Sequence, residues 1–402
     1  MRALAYESHV VRPRAPLHLT IVFALLAVVG CSSKDPVSPA APSAPPTQVL
    51  GTPLTAPDAV EVESSLMWSS LTGELICSAS FLTARASLLA IHSTTKATRV
   101  LEALPSIVTD MAPDGSAVYF NALGDDYSLG RRSALAGSFA PALLDSCSLL
   151  CFFYMRAAPD GDHVAVERIS FSSTTDVSDS LRIHVLSTGE RKAFASAVPV
   201  AFSPGSDQLV VNDVFAPLSQ AAILTLATRG TQPAGLSVPD PIAESRVRWG
   251  PSGIEVLYVE ADDKRLFLHQ AAGGTTTLIW SSADSLRGPM AWSESGRQAA
   301  IWSSRDVGTD AVPVQRWELH VVDLGSHNAR TVAYAEVPTR SAAVLRPVPR
   351  PVARLRAMAD IFPPPRLGGL VFSPDETKLA YTFFDGRVYR SDLSGSMASA
   401  AR

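Results

Sequence analysis

Cysteine side chains are the groups of this chain best suited to covalent or metal chemistry. Cys147 and Cys151 lie four residues apart in the segment DSCSLLCFF. They can form a disulfide if the chain turns between them, whereas an extended strand would hold their Cα atoms about 13 Å apart, too far for a bridge. Cys77 is then left as a thiol buried in the first repeat. No second cysteine pair or neighbouring histidine completes a metal site, so the sequence predicts no metal and no cofactor.

Catalytic motifs are scarce. The histidines are scattered singly, and no Gly-x-Ser-x-Gly elbow, His-Glu-x-x-His pair or phosphate-binding glycine loop occurs. His184 and His320 fall on strand-like segments, where an occasional polar side chain is ordinary. The sequence therefore predicts no catalytic residue.

The amino terminus carries the strongest chemical signal. A basic stretch ending at Arg14 precedes an apolar run over residues 19–29, which ends in Val-Val-Gly-Cys31. The run is too short to span a membrane as a mature helix and has the layout of a secretory signal. Its end resembles the lipobox of bacterial lipoproteins, which implies removal of residues 1–30 and acylation of Cys31, for example with palmitate. An ordinary secretory signal that happens to contain this cysteine is the alternative.

A lipidated Cys31 would anchor the protein to a membrane of the bacterial cell envelope. Ser32 follows the anchor where an aspartate would favour the inner membrane, so we expect the outer membrane, facing the periplasm or the cell surface. Residues 31–57 are rich in Pro, Ala and Ser and lack a hydrophobic period. They are predicted to be a tether, with a reach from about 25 Å when flexible to about 75 Å when extended.

A recurring turn organises the rest of the chain. Its full form, Ala-Pro-Asp-Gly, begins at Ala112 and Ala158, and an apolar strand-like run follows each copy. Proline presets φ, aspartate accepts backbone hydrogen bonds, and glycine allows a positive φ. A period of about 45 residues is typical of a four-stranded propeller blade. The copies align at Gly73, Gly115, Gly161, Ser206, Gly253, Gly296 and Glu376.

Seven turns predict an all-β fold of seven antiparallel blades. The last interval, from Gly296 to Glu376, is nearly twice as long as the others, so it holds either an eighth blade or one blade with an insertion. The last unit lacks a fourth strand. The alternating segment 59–63 is predicted to supply that strand and close the ring, which would remove a bare sheet edge. An independent edge strand is the alternative.

The units resemble TolB-type β-propeller repeats, in which a Ser/Ala-Pro-Asp-Gly turn links the inner two strands of a blade. The resemblance covers about residues 58–396, with a short tail at 397–402, and implies the propeller architecture. It does not extend to the separate amino-terminal domain of TolB. Propellers host many activities, so the resemblance alone does not assign a function.

One column of charged residues lies three positions before the proline position of the turn. Asp110, Arg156 and Arg248 occupy it and should face the central channel. They could bind an anionic ligand or the terminus of a partner, but buried charges need partners, which favours ion pairs between blades. The adjacent column is predicted to pack blade against blade and not to form a ligand cage; it contains Phe202, Trp249, Trp292 and Phe372.

Residues 336–367 interrupt the repeats. The segment is rich in proline, which disfavours strands, so we predict an inserted loop with a short helix near 353–361. It is the most basic part of the mature chain, with Arg346, Arg350, Arg354, Arg356 and Arg366. This segment either contacts a partner or an anionic surface, or it is a solvated loop without a binding role.

These features favour a lipid-anchored envelope propeller that serves as an interaction or scaffolding module for a protein or peptide. A pI near 6.1 without basic blocks argues against a nucleic-acid partner. We expect a monomer. The alternative is a propeller enzyme, a lyase or glycan hydrolase, with its site at the channel mouth. A cluster of titratable side chains with shifted pKa values at that mouth would favour the enzyme.

Overall fold

Short strands, several of them buried on both faces, form seven antiparallel sheets, or blades, in this computed structural model. Each sheet leaves two faces to be buried, and packing seven sheets in a ring buries them. The structure describes residues 49–55, 61–62, 66–81, 84–102, 106–123, 127–133, 142–147, 151–171, 177–213, 216–240, 242–308, 314–338, 369–384 and 387–393.

The strands follow one another from the innermost to the outermost position of each blade. Blade 1 contains β2 (Glu61–Val62), β3 (Met67–Trp68), β4 (Glu74–Phe81), β5 (Ala84–His92) and β6 (Thr98–Glu102). Blade 2 contains β7 (Ser106–Met111), β8 (Ala117–Leu123), β9 (Tyr127–Ser133) and β10 (Ala142–Cys147). Blade 3 contains β11 (Cys151–Ala157), β12 (His163–Phe171), β13 (Val177–Val185) and β14 (Glu190–Phe194).

The later blades keep the same order. Blade 4 contains β15 (Val198–Phe202), β16 (Gln208–Asn212), β17 (Ala222–Thr225) and β18 (Thr231–Pro233). Blade 5 contains β19 (Ile242–Gly250), β20 (Gly253–Glu260), β21 (Arg265–Gln270) and β22 (Thr275–Ser281). Blade 6 contains β23 (Ser285–Trp292), β24 (Gln298–Asp306), β25 (Val314–Asp323) and β26 (Ala329–Pro338). Blade 7 contains β27 (Leu370–Phe372), β28 (Lys378–Thr382), β29 (Val388–Asp392) and β1 (Thr52–Pro53). Two short 3₁₀ turns lie at Leu218–Gln220 and Ala271–Gly273.

The inner strands of successive blades contact one another, and β27 of blade 7 contacts β3 of blade 1. An apolar cluster fills each of the seven interfaces between neighbouring blades. The predicted β-propeller is confirmed. The described residues form seven blades and not eight, because those of the long interval belong to blades 6 and 7.

The ring closes with the amino-terminal strand, but not with the segment that the sequence suggested. Strand β1 pairs with β29, with Thr52 opposite Arg390. The prediction that segment 59–63 closes the ring was wrong. Within that segment, β2 (Glu61–Val62) pairs with β4 and forms part of the inner edge of blade 1. Proline can occupy β1 because this strand lies at the outer edge of its sheet, where one side needs no ladder hydrogen bonds.

The segment around β1 also contacts blade 6. The backbone of Val49 exchanges two hydrogen bonds of 2.9 Å with Tyr334 on the outermost strand of that blade. Gly51 lies so close to the carbonyl of Arg390 that a Cβ atom would overlap it. Residues 49–55, assigned to the tether by composition, therefore form part of the propeller edge.

The insertion begins later than the sequence suggested. Glu336 to Pro338 belong to β26, paired with β25. The predicted short helix at 353–361 lies outside the described residues, as do the signal segment 1–30, Cys31 and the tail at 397–402.

All seven aligned turn positions have a positive φ. Five are glycines, for which this conformation is accessible without strain. Ser206 and Glu376 adopt the same conformation, at 59° and 54°. Both side chains reach the adjacent blade: Ser206 Oγ accepts a hydrogen bond from the backbone of Asp160, and the Glu376 carboxylate binds Ser295. These contacts offset the cost of the left-handed backbone.

Candidate functional site

A cavity of about 690 Å³ lies inside the ring, against the inner strands of blades 5, 6, 7 and 1. Segments of β19, β23, β27 and β3 line it, with the residues just before β3 and β27 and just after β23 and β27. Cavities of this size accommodate small molecules or short chain segments.

Three tryptophans contribute to the wall of the cavity. Trp68, Trp249 and Trp292 each stand just before the recurring turn of their blade. The Trp249 indole donates a hydrogen bond of 3.0 Å to the carbonyl of Ala201 in blade 4, so it contacts the neighbouring blade as predicted, but it also lines the cavity, which that prediction did not include. The Trp292 indole donates to the carbonyl of Gly296 at 3.4 Å. Within the described residues, the Trp68 indole N–H has no hydrogen-bond partner.

Arg248 lines the cavity and is already engaged on two sides. Its Nε and Nη2 atoms donate to Glu255 at 2.8 and 2.6 Å, and its guanidinium carbon lies 4.3 Å from the centre of the Trp292 ring. The ion pair with Glu255 therefore lies within blade 5, while the contact with blade 6 is a cation–π interaction. The turn glycine at 296 leaves room for this arrangement, because a Cβ atom there would overlap the guanidinium.

Arg246 lies two residues earlier on the same face of β19 and is more open. Its side chain is 45% exposed, and its Nη1 atom alone makes the hydrogen bonds found within the described residues, to Glu244 at 2.7 Å and to the carbonyl of Ser245. Burial raises the pKa of Glu244 although Arg246 beside it favours the ionised form. The Nε and Nη2 donors of Arg246 remain available.

The other two charged residues of the predicted column, Asp110 and Arg156, form hydrogen bonds between neighbouring blades on the opposite side of the ring. Asp110 in blade 2 accepts a 2.9 Å hydrogen bond from the backbone of Ala157 in blade 3. Arg156 in blade 3 donates at 3.0 Å to the carbonyl of Val200 in blade 4. Burial raises the pKa of Asp110, against the opposing attraction of Arg156. Each inner strand pairs with another strand on one side only, so the backbone groups on its second edge need other partners. Asp110 and Arg156 supply such partners, and neither residue lines the cavity.

Cys77, Cys147 and Cys151 lie on strands of blades 1, 2 and 3. Cys147 ends β10 in blade 2 and Cys151 begins β11 in blade 3, and the residues between them lie outside the described part of the chain. Their disulfide stays a prediction. Cys77 is a buried free thiol whose pKa burial raises to about 12, so it is not a nucleophile at neutral pH.

A serine–histidine pair in blade 6 was not anticipated. Ser303 Oγ lies 2.8 Å from His320 Nε2, and the His320 ring contacts Trp280 of blade 5 at 4.9 Å between centroids. Both residues are buried, and burial lowers the pKa of His320. Since neither residue lines the cavity, the pair satisfies polar groups in an interface instead of forming an exposed nucleophile. No cluster of three potential metal ligands occurs among the described residues.

Sequence reasoning missed Arg246 and Trp68. Arg246 could have been found from its spacing of two residues from Arg248, which places both on one face of a strand. Trp68 stands in the most degenerate copy of the turn, where the alignment gave it little weight.

No protein-family model and no curated protein matches the chain. Among solved structures, an oligogalacturonate lyase from Vibrio parahaemolyticus is similar over 87% of this chain and 96% of its own, with 10% identity and a TM-score of 0.56. A protein described as TolB from Agrobacterium tumefaciens is 17% identical over 61% of this chain and 88% of its own, with a TM-score of 0.42. TolB from Acinetobacter baumannii is 12% identical over 82% and 79%, with a TM-score of 0.40.

At these identities the likeness concerns the fold alone, and the lyase supports the β-propeller architecture. Within the described residues, no helix has both the length and the apolar character needed to cross a membrane.

Proposed function

We propose that this protein is a lipid-anchored propeller of the cell envelope that binds a segment of a partner protein in the cavity of the ring. The cavity carries this proposal: about 690 Å³ of space, three indoles and an arginine with unused donors face it together. Aromatic and arginine side chains are the types enriched at the energetic centres of protein interfaces. On the opposite side of the ring, Asp110 and Arg156 are hydrogen-bonded to backbone groups of the next blade. We therefore assign binding to the side formed by blades 5, 6, 7 and 1.

The anchor is supported by the segment that precedes Cys31. The chain joins the propeller through β1, on the outer edge of blade 7. Thr52 and Pro53 therefore lie on the circumference of the ring, whereas the cavity is lined by inner strands. Acyl chains contribute about 0.8 kcal/mol per buried methylene, so more than one chain at Cys31 would hold the protein firmly in the outer membrane.

Affinity capture from detergent-solubilised envelope tests the interaction role. Three baits are compared: the full chain, the variant Trp68→Ala, and a variant in which a short glycine-serine linker replaces residues 339–367. We expect the full chain to retain a reproducible partner and Trp68→Ala to lose most of it. Loss in the linker variant alone would instead place the contact in the basic insertion. Failure of the full chain to retain any partner counts against the proposal.

A propeller enzyme of the lyase or glycan-hydrolase type is the second candidate. The raised pKa of Glu244 favours it, because burial causes this shift, the carboxyl is hydrogen-bonded to the cavity-lining Arg246, and carboxyl groups with a raised pKa are candidates for proton transfer. The fold resembles that of an oligogalacturonate lyase. Incubation with oligogalacturonate, followed by chromatography of the products, tests this candidate. Cleavage that Glu244→Gln abolishes would favour the enzyme over the interaction module.

A further inference from the structure

Two side chains of the cavity wall, Arg246 and Trp68, keep hydrogen-bond donors without a partner among the described residues. Arg246 engages only Nη1 within the described residues, so Nε and Nη2 present the two parallel N–H groups that match a carboxylate. The Trp68 indole N–H is a third donor in the same wall. Arg248 has both corresponding atoms bound to Glu255, and Trp249 and Trp292 have their N–H groups bound to carbonyls. A ligand that engages Arg246 and Trp68 must therefore supply acceptors.

The walls also favour a polypeptide. Strands β3, β19, β23 and β27 each stand at the inner end of their sheet and pair with a strand on one side only. The second edge of each carries alternating N–H and C=O groups toward the centre of the ring. A polypeptide backbone offers the complementary alternation, whereas a sugar offers hydroxyl groups.

We propose that the cavity binds the C-terminal carboxylate of a partner polypeptide, with Arg246 as the residue that grips it. This inference rests on the proposed function, since it specifies which part of the partner enters the ring. A chain end suits this site because its carboxylate offers the two oxygens that the parallel Nε and Nη2 donors of Arg246 match. Glu294, which also lines the cavity, disfavours additional acidic residues in the incoming segment.

Paired peptide pools provide the test. Random octapeptides without Asp or Glu are coupled to beads through their amino ends, one pool with free C-terminal carboxylates and one with C-terminal amides. The full-length protein in detergent is passed over both. We expect retention on the carboxylate pool and about tenfold to hundredfold weaker binding to the amide form of a selected peptide, measured by tryptophan fluorescence.

Variants assign the effect to Arg246. Arg246→Gln should weaken binding of the carboxylate peptide by about the same factor as amidation, and Arg246→Lys should fall between, because lysine keeps the charge without the two parallel donors. Arg305→Gln is the matched control: Arg305 is 49% exposed, lies on β24 and does not line the cavity. Thermal melts of all three variants exclude a folding defect.

Each other outcome overturns the inference. Equal binding of the acid and the amide, or an unchanged affinity of Arg246→Gln, rules out carboxylate recognition by this residue. Preferential binding of a peptide with an internal glutamate and an amidated end assigns the site to acidic side chains. Binding of polygalacturonate but of no peptide assigns it to an acidic glycan. Retention on neither pool rejects the terminal carboxylate, and the envelope capture then decides separately whether the interaction role survives.

Discussion

Replacing Gly296 by alanine tests whether Arg248 is held in place between blades 5 and 6. Gly296 has a φ of 75°, and a Cβ atom there would overlap the Arg248 guanidinium. Gly161, at the equivalent turn of blade 3, has a φ of 70° and open space at the same position. Alanine costs about 1 to 2 kcal/mol at either site because an L side chain disfavours the left-handed region. At Gly296 it also displaces Arg248 from Glu255, which adds about 1.5 to 3 kcal/mol.

Urea unfolding followed by tryptophan fluorescence measures both effects. The free energy of unfolding should fall further in Gly296→Ala than in Gly161→Ala by that additional amount. In an Arg248→Ala background, the two glycine substitutions should cost the same, because the group that the new methyl displaces is gone. Equal losses for Gly296→Ala and Gly161→Ala in the otherwise native protein would refute the reasoning.

Three further predictions concern closure, pH and the anchor. Gly51→Ala brings a methyl group into the carbonyl of Arg390 and should cost about 1 to 3 kcal/mol by loosening β1; hydrogen exchange at β29 reports it, and unchanged protection there would contradict the closing role. Burial lowers the pKa of His184 to about 4, so the unfolded chain takes up a proton below pH 6.5 that the folded protein resists. The free energy of unfolding should therefore fall as the pH drops from 6.5 to about 4. Urea unfolding at several pH values should show a weaker pH dependence in His184→Gln than in the native protein. An equal pH dependence in the two proteins would show that His184 is not its cause. Cys31→Ala should abolish palmitate labelling and release the protein from the membrane fraction, whereas continued labelling would disprove the anchor.

The repeated turn was predictable because it depends on local chemistry. Ser206 and Glu376 break the glycine pattern, yet both have the positive φ that their alignment implies. The length of the repeat was enough to predict four strands per blade, since each blade forms mainly from contiguous sequence.

The closing strand was misplaced for a physical reason. Segment 59–63 has the alternation of a strand, whereas Thr52–Pro53 lies in proline-rich sequence. An outermost strand needs hydrogen bonds on one side only, so weak strand propensity suffices there. Which segment forms this outermost strand depends on the pairing of an amino-terminal segment with β29 near the other end of the chain. A local sequence pattern does not encode that long-range pairing.

The cavity could not be predicted because it results from differences between blades. The same column holds Asp110 and Arg156, which bridge to backbone groups, and Arg248, which lines open space. Which inner positions are filled depends on side chains of the adjacent blade, about 45 residues away in sequence. The unused donors of Arg246 likewise depend on the placement of Glu244 and Ser245, which take up only its Nη1 atom.

Site-specific photo-crosslinking in intact cells tests most directly whether a partner enters the ring. A photoreactive residue is placed at Val371, which lines the cavity, and as a control at Leu278, which is 44% exposed on the outermost strand of blade 5. The proposal predicts a discrete crosslinked product from Val371, lost when Arg246 is changed to glutamine, and none from Leu278. Crosslinking at Leu278 with none at Val371 would contradict binding in the cavity.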